Sequence, residues 1–134
     1  MKANKSGHVT ENIIGDILHG VGLEYQRQVQ IGKSIYEPYT LRADFVVTNL
    51  KNFPAGIAIE SKWQDRQGSV DEKFPFMAIN IRTRYSVPAI VVVAGGSCRQ
   101  GAIDWLRSQC DGCHLIAVFG LEEFISWALR SEKV

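Results

Sequence analysis

The chain has 134 residues, of which 46% are hydrophobic and 22% are charged, and its formal net charge is +1. This length suits one domain with its own core, and the near-neutral charge excludes a surface that attracts nucleic acid everywhere. Any contact with DNA must therefore come from a local basic patch. No apolar run is long enough to cross a membrane and the polar N-terminus does not resemble a secretory signal, so we expect a cytoplasmic protein.

One helix and three strands are predicted for the first half of the chain. Residues 1–7 are polar and are expected to form a flexible tail on a single domain that spans residues 1–134. Apolar side chains from Val9 to Val21 then fall on one helical face, and Gly20 and Gly22 are placed to end that helix. Three strands follow over about residues 23–30, 40–48 and 55–64. The loop 32–39 and the turn 49–54 separate them.

Two strands alternating with three helices are predicted for the second half. Ser69 and Glu72 have the spacing of a capping box, which marks a helix that runs to about Arg84 with a kink or short first turn at Pro75. The apolar run 88–94 is typical of a strand buried on both faces of a parallel sheet. A second capping-box spacing at residues 97 and 100 predicts a helix to about residue 109. A strand over 115–119 and a helix over 121–129 complete the chain.

This order of elements predicts an α/β fold. A helix and three antiparallel strands are followed by helix, strand, helix, strand and helix. The arrangement gives three layers, with a mixed central sheet flanked by helices. The connection from the third strand to the strand at 88–94 is expected to be a right-handed crossover.

Charged side chains interrupt the third strand near its end. Glu60 and Lys62 project from one face because side chains alternate along a strand, and a buried charged pair is costly unless something uses it. The preceding strand carries Asp44, which antiparallel pairing would bring to Glu60. Two carboxylates on adjacent strands suit a hard cation such as Mg²⁺, and the lysine can orient a water or stabilise developing charge. The alternative is an ion pair on a solvated edge strand.

Asp44 followed by Glu60-Ser61-Lys62 resembles the motif of the PD-(D/E)xK nuclease superfamily, although Ala43 stands where the motif has proline. The elements around the motif match the restriction-endonuclease-like core over nearly the whole chain. The resemblance implies a Mg²⁺-dependent endodeoxyribonuclease, with Mn²⁺ as a substitute metal, in which Asp44 and Glu60 bind the metal and Lys62 assists the attacking water. It also implies that the backbone carbonyl of Ser61 adds a metal ligand.

Glu11 is a further candidate on the first helix. It lies at the border of the apolar stripe, from where it can lean toward the sheet. The resembled family often places an additional glutamate on this helix near the metal, and Glu11 matches that placement. The alternative is a surface acid that interacts favourably with the helix dipole.

Several polar residues after the motif are candidates for contacting the substrate. Gln64 has the same strand parity as Glu60 and Lys62, so it is a candidate for binding a phosphate or a metal-bound water. Arg99, beside the glycine turn at residues 95 and 96, is a separate candidate for contacting DNA. The candidate basic patch for binding DNA consists of Arg66, Lys73, Arg82 and Arg84. Its alternative is a solvated helix face.

Other functions are also compatible with the sequence. Cys110 and Cys113 with the adjacent histidine have the spacing of a haem-attachment or zinc motif, but a single such pair is a weak signal. A non-cleaving DNA-binding module with the same fold and an RNA nuclease are the competing classes. Within DNA cleavage, a junction resolvase, a restriction enzyme and a homing enzyme are all compatible with the motif. Cutting both strands needs two active sites, so a homodimer or higher oligomer is expected.

Overall fold

The predicted order of helices and strands is the observed one. The computed structural model describes residues 5–64 and 70–134. The elements in chain order are α1 (Lys5–Gly20), β1 (Tyr25–Lys33), β2 (Thr40–Val47), β3 (Ile57–Trp63), a 3₁₀ turn (Asp71–Lys73), α2 (Phe74–Thr83), β4 (Ala89–Ala94), α3 (Gln100–Ser108), β5 (Leu115–Phe119) and α4 (Leu121–Arg130). None of the helices in these two ranges is long and apolar enough to span a bilayer.

The five strands form one mixed sheet in the order β1-β2-β3-β4-β5. The β1–β2 and β2–β3 pairs are antiparallel, whereas the β3–β4 and β4–β5 pairs are parallel. The crossover from β3 to β4 passes through α2, as a parallel pair requires. The predicted α/β fold with a mixed central sheet is confirmed.

Helices cover both faces of this sheet and create two cores. On one face, α1 and α4 place Ile14, Leu18 and Phe124 against buried β-strand side chains such as Ile59 and Ile90. On the other face, α2 and α3 pack against the remaining inward side chains of the same strands. Full burial of each large apolar side chain stabilises the fold by about 1.5–3 kcal/mol. The sheet is therefore held between two helical layers.

The end of α1 follows the glycine prediction. Gly22 has φ +81°, and the amides of Gly22 and Leu23 donate hydrogen bonds to the carbonyls of His19 at 3.1 Å and Leu18 at 2.9 Å. This pair of hydrogen bonds forms a Schellman motif, which needs a residue with positive φ. Because the motif occupies the chain through Leu23, β1 begins only at Tyr25, later than predicted. At its other end, α1 begins at Lys5, so it includes part of the stretch expected as a tail.

β1 also extends further than predicted, through Gly32 to Lys33. A Cβ atom on Gly32 would lie 2.4 Å from the backbone oxygen of Arg84. The glycine therefore allows the segment after α2 to approach the strand rather than breaking the strand.

The two capping-box predictions have different outcomes. Ser69 lies outside the described residues, while Pro75 stands in the first turn of α2 behind the short 3₁₀ turn, as expected from a short first turn. The capping box at Ser97 is wrong, because α3 begins at Gln100 with Arg99 as its N-cap residue and no side-chain cap. The reason is that the Ser97 amide donates to the backbone oxygen of Gln64 at 3.1 Å, which ties this segment to the end of β3.

Candidate active site

β2 and β3 stop pairing through their backbones at the predicted acidic residues. Their ladder runs from Val47 opposite Ile57 to Phe45 opposite Ile59. At the next step the Ser61 amide donates to Asp44 Oδ2 at 2.8 Å, and the Asp44 amide donates to Glu60 Oε1 at 2.9 Å. Each carboxylate thus binds the backbone of the opposite strand. The two acids are held side by side by local β geometry, as the antiparallel alignment predicted.

Two cavities open on either side of this junction. The α1 cavity, of about 290 Å³, is lined by His8, Glu11, Asp44, Ser61, Lys62, Trp63 and Val70. The α2 cavity, of about 360 Å³, is lined by Leu41, Arg42, Glu60, Lys62, Val70, Lys73, Phe74, Phe76, Met77, Asn80 and Tyr85. Lys62 lines both cavities, so its ammonium group is within reach of a ligand in either one.

The environment of Asp44 and Glu60 disfavours the ionised form of both carboxyls. Burial raises the pKa of the Glu60 carboxyl from 4.5 to about 7, and the nearby Asp44 charge acts in the same direction. Burial also raises the pKa of Asp44, although the Ser61 amide and the Lys62 charge oppose the rise. The site therefore has more negative charge than Lys62 alone neutralises, and a bound cation would neutralise the excess.

Glu11 is where the sequence predicted it. Glu11 and Asp44 line the same cavity, and the charge of Glu11 adds to the effect of burial in raising the pKa of Asp44. Glu11 Oε2 also accepts a hydrogen bond from Arg27 Nη2 at 2.9 Å. The guanidinium of Arg27 lies 5.0 Å from the centre of the Phe45 ring. Arg27 thus holds Glu11 at the mouth of the α1 cavity.

A metal fits the donor set, although the cluster is incomplete. Within residues 5–64 and 70–134, no three His, Cys, Asp or Glu side chains are gathered as a ready metal-binding group. Asp44 and Glu60 nevertheless offer carboxylate oxygens, and Glu11 is a third carboxylate drawn toward Arg27. An all-oxygen set is the set that Mg²⁺ and Mn²⁺ prefer.

The sequence profile of the PD-(D/E)XK nuclease superfamily domain matches residues 2–132. The chain belongs to this superfamily. Its five-stranded mixed sheet flanked by helices is a restriction-endonuclease-like fold. Membership implies a nuclease-type function acting on nucleic acid. No curated protein and no solved structure matches the chain.

Strand parity predicts that Gln64 binds a phosphate or a metal-bound water, but its side chain forms its hydrogen bonds inside the protein. Its side chain is 4% exposed. Its Nε2 donates to the Ser97 backbone oxygen at 3.0 Å, and its Oε1 accepts from the Asp71 amide at 3.0 Å. Both ends of the amide are therefore used inside the protein. Gln64 joins the end of β3 to the segments before α2 and α3.

Most of the residues predicted to contact DNA are paired with acids or amides. Arg99 binds Asp71 through Nη2 at 2.8 Å and Glu72 at 3.3 Å, and it lowers the pKa of Asp71. Arg84 pairs with an acid of the β1–β2 loop, and Arg82 donates to a glutamine at the end of α3. Lys73 lines the α2 cavity, while Arg66 lies outside the described residues.

Three residues of the site were missed by sequence reasoning. The Tyr85 hydroxyl donates a short hydrogen bond to Glu60 Oε2, and burial together with the Glu60 charge raises the pKa of Tyr85. Arg42 lines the α2 cavity, and its position in β2 two residues before Asp44 was a usable signal. Arg27 lies in β1, and no local sequence pattern predicts its contact with Glu11.

Proposed function

We propose that this superfamily member is a Mg²⁺-dependent endodeoxyribonuclease that hydrolyses phosphodiester bonds of DNA, with Mn²⁺ able to substitute. The observation that supports the proposal most directly is the interlocked pair of Asp44 and Glu60 with Lys62 beside it. Structural ion pairs are arranged to neutralise charge, whereas this pair leaves two carboxyls with raised pKa values, Asp44 at the wall of the α1 cavity and Glu60 at the wall of the α2 cavity.

Asp44 and Glu60 are proposed as the metal ligands. Glu11 joins them directly or through water, and the Ser61 carbonyl is a further candidate oxygen. When bound, the metal would polarise the scissile phosphate and stabilise the leaving 3′ oxygen. The products would then carry 5′-phosphate and 3′-hydroxyl ends.

Lys62 is proposed to act on the attacking water. Lys62 lines both cavities, and its charge opposes the rise in the pKa of both acidic residues, so the ammonium is close to the two carboxylates. From there it positions or deprotonates the water and offsets the negative charge that develops on phosphorus. Tyr85 and the Asp44 amide each hold one oxygen of Glu60, which fixes the direction of that carboxylate.

The test is cleavage of supercoiled plasmid by the purified protein with Mg²⁺, compared with the same reaction in chelator. We expect nicked or linear DNA only with the metal. Glu11→Gln should lower the rate, while Asp16→Asn, which changes an exposed acid on the same helix, should leave it unchanged. DNA binding without cleavage in any divalent metal would overturn the proposal and favour the non-cleaving module.

A further inference from the structure

The α2 cavity has a composition that the metal site does not explain. Part of its wall is apolar, from Leu41, Phe74 and Met77, although one end carries Glu60 and Lys62. Its volume of about 360 Å³ lies in the range of small-molecule sites, about 300–1,000 Å³. A water-filled approach to a scissile phosphate needs no apolar wall. The cavity is therefore suited to a ligand with a flat apolar body.

Asn80 supplies an unused hydrogen-bond donor at this cavity. The residue is 1% exposed, and its Oδ1 accepts from the Ile35 amide at 2.9 Å. That contact sets the orientation of the amide, and Nδ2 is left buried with no hydrogen-bond partner among the described residues. Such an orphan donor is unfavourable unless a ligand or a bound water supplies the acceptor. A ligand that enters next to α2 can supply it.

An aromatic surface leads from the cavity to solvent. Phe76 lines the cavity, and its ring stacks on Tyr36 with centroids 5.0 Å apart and planes inclined by 27°. Tyr36 is 63% exposed at the tip of the β1–β2 hairpin. Aromatic side chains next to a groove provide the stacking surface on which bases of unpaired nucleic acid bind.

The charges decide what kind of ligand fits. Arg42 and Lys73 are exposed at the cavity, and among the described residues neither forms an ion pair with a carboxylate. They are free to bind phosphates outside it. Inside the cavity, the Lys62 ammonium balances the charge of Glu60 in the same wall, so the interior suits a neutral group. A neutral, planar group with hydrogen-bond acceptors, attached to a phosphate backbone, meets all these conditions.

We infer that the α2 cavity receives an unpaired nucleobase of the DNA strand that is cut, with Asn80 Nδ2 donating to a ring nitrogen or carbonyl of the base. A base within a continuous duplex cannot enter without being unstacked and unpaired. The enzyme therefore selects DNA with an unpaired nucleotide beside the scissile phosphate. The inference rests on the proposed function, because it identifies the substrate of the same site.

The experiment measures binding of the wild-type protein to three duplexes of one sequence by fluorescence anisotropy, with Ca²⁺ in place of Mg²⁺. The first duplex is fully paired, the second has one bulged adenine, and the third has an abasic residue at the bulge. The abasic duplex keeps the bend and the phosphates but removes the base. We expect the bulged adenine to bind about tenfold more tightly than the abasic bulge. A 2-aminopurine in that place should change its fluorescence on binding.

Two variants locate the effect. Phe76→Ala should remove most of the preference for the base, because it removes the stacking surface. Trp105→Ala changes an aromatic residue that is 40% exposed on α3 and does not line the cavity, so it should keep the preference. Because the decisive comparison uses the wild-type protein, it does not depend on the folding of either variant.

The outcomes separate this inference from the proposed function. Equal affinity for the bulged adenine and the abasic bulge would overturn the inference, even if Mg²⁺-dependent cleavage is found. A preference for the base without cleavage in Mg²⁺ would overturn the proposed function and leave the base-binding cavity standing. Absence of any binding to the three duplexes would overturn both.

Discussion

Asp44 and Glu60 contribute to the fold as well as to the candidate chemistry, because each carboxylate accepts a backbone hydrogen bond across the β2–β3 junction. Replacing Asp44 by alanine would leave the Ser61 amide without its acceptor. An unsatisfied buried amide costs about 1–3 kcal/mol, and the Ser61 amide is partly buried, so the lower end of this range applies. A test of the metal site must therefore remove charge while keeping the acceptor, which Asp44→Asn does.

The first prediction compares Asp44→Asn with Lys62→Ala. Asp44→Asn should weaken Mg²⁺ binding and abolish cleavage, because a neutral amide oxygen is a poorer ligand for a hard cation. Lys62→Ala should leave Mg²⁺ affinity close to wild type and reduce cleavage by about 10²–10⁴-fold, since the lysine supplies a proton-transfer or charge role. Titration calorimetry and plasmid nicking on the same samples check both. Wild-type cleavage by Lys62→Ala would contradict the mechanism, and unchanged Mg²⁺ affinity in Asp44→Asn would contradict the ligand assignment.

The second prediction concerns pH and Glu60 in the metal-free protein. Its pKa is about 7 in the folded chain against 4.5 ordinarily, so the folded state binds the extra proton between these values. This contribution to stability is full below pH 4.5 and is lost as the pH rises through about 7. We expect it to be on the order of 1 to 3 kcal/mol. Thermal unfolding in chelator should show a fall in Tm between pH 5 and pH 8 that is smaller in Glu60→Gln.

Mg²⁺ is the control for this titration. A cation stabilises the ionised carboxylate, so adding Mg²⁺ should reduce the wild-type fall in Tm at the upper end of the pH range. Identical pH profiles for wild type and Glu60→Gln in chelator would contradict the raised pKa.

At the residue scale, the sequence predicted the parts of the site that depend on strand parity and helix periodicity. Asp44, Glu60 and Lys62 are adjacent because β2 and β3 are consecutive antiparallel strands, and Glu11 is placed by the apolar stripe of α1. Tyr85 could not be found in this way. It comes from the segment between α2 and β4, whose path depends on packing across the sheet.

At the element scale, one network holds the C-terminal ends of β3 and β4 together. Gln64 bridges the backbone of Ser97 and Asp71, and Asp71 in turn binds the backbone and guanidinium of Arg99. The backbone of Gly95 packs directly on this junction. The network fixes the segments on both sides of residues 65–69, immediately after β3.

The third prediction tests the closeness of that junction. Gly95 has φ +98°, and a Cβ atom there would lie 2.2 Å from the Gln64 backbone oxygen. Gly96 also has positive φ, +77°, but a Cβ atom there would meet nothing within 4 Å. Gly96→Ala should cost about 1–2 kcal/mol, the left-handed backbone penalty alone. Gly95→Ala should cost clearly more and should also reduce cleavage, because relieving the clash displaces the end of β3.

Urea denaturation of both variants measures this difference, and plasmid nicking measures the effect on activity. Gly96→Ala is the matched control for the backbone conformation. Equal loss of stability in the two variants would contradict the close contact between Gly95 and Gln64.

Sequence reasoning succeeded for the order of the elements and failed where a tertiary contact replaces a local signal. The capping-box spacing at Ser97 is genuine, yet the Ser97 amide binds β3 and the helix begins three residues later. Gln64 has the strand parity of a catalytic residue, but the same network uses its amide. Arg99, a candidate for contacting DNA, pairs with Asp71, an acid distant in sequence. Such contacts depend on which loops meet, which periodicity does not encode.

At the scale of the whole molecule, the net charge of +1 gives no long-range attraction to DNA. Binding must therefore depend on cations close to the acidic site, of which Arg42, Lys62 and Lys73 line the α2 cavity. With few phosphate contacts, the affinity should depend only moderately on salt. Such a protein cuts both strands of a duplex most directly when two active sites act on the same duplex.

The last prediction is that the protein cuts both strands as a homodimer in which each active site cuts one strand. Co-expressed wild-type and Lys62→Ala chains in equal amounts should give mixed dimers with one working site. Such dimers nick the plasmid but do not linearise it, so the yield of linear product per bound dimer should fall to about a quarter while nicking persists. The ratio of linear to nicked DNA is measured early in the reaction with DNA in excess. Light scattering on the same samples gives the mass of the protein assembly. Independently acting monomers would show the same ratio as wild type diluted to the same active concentration, and that result would exclude the dimer.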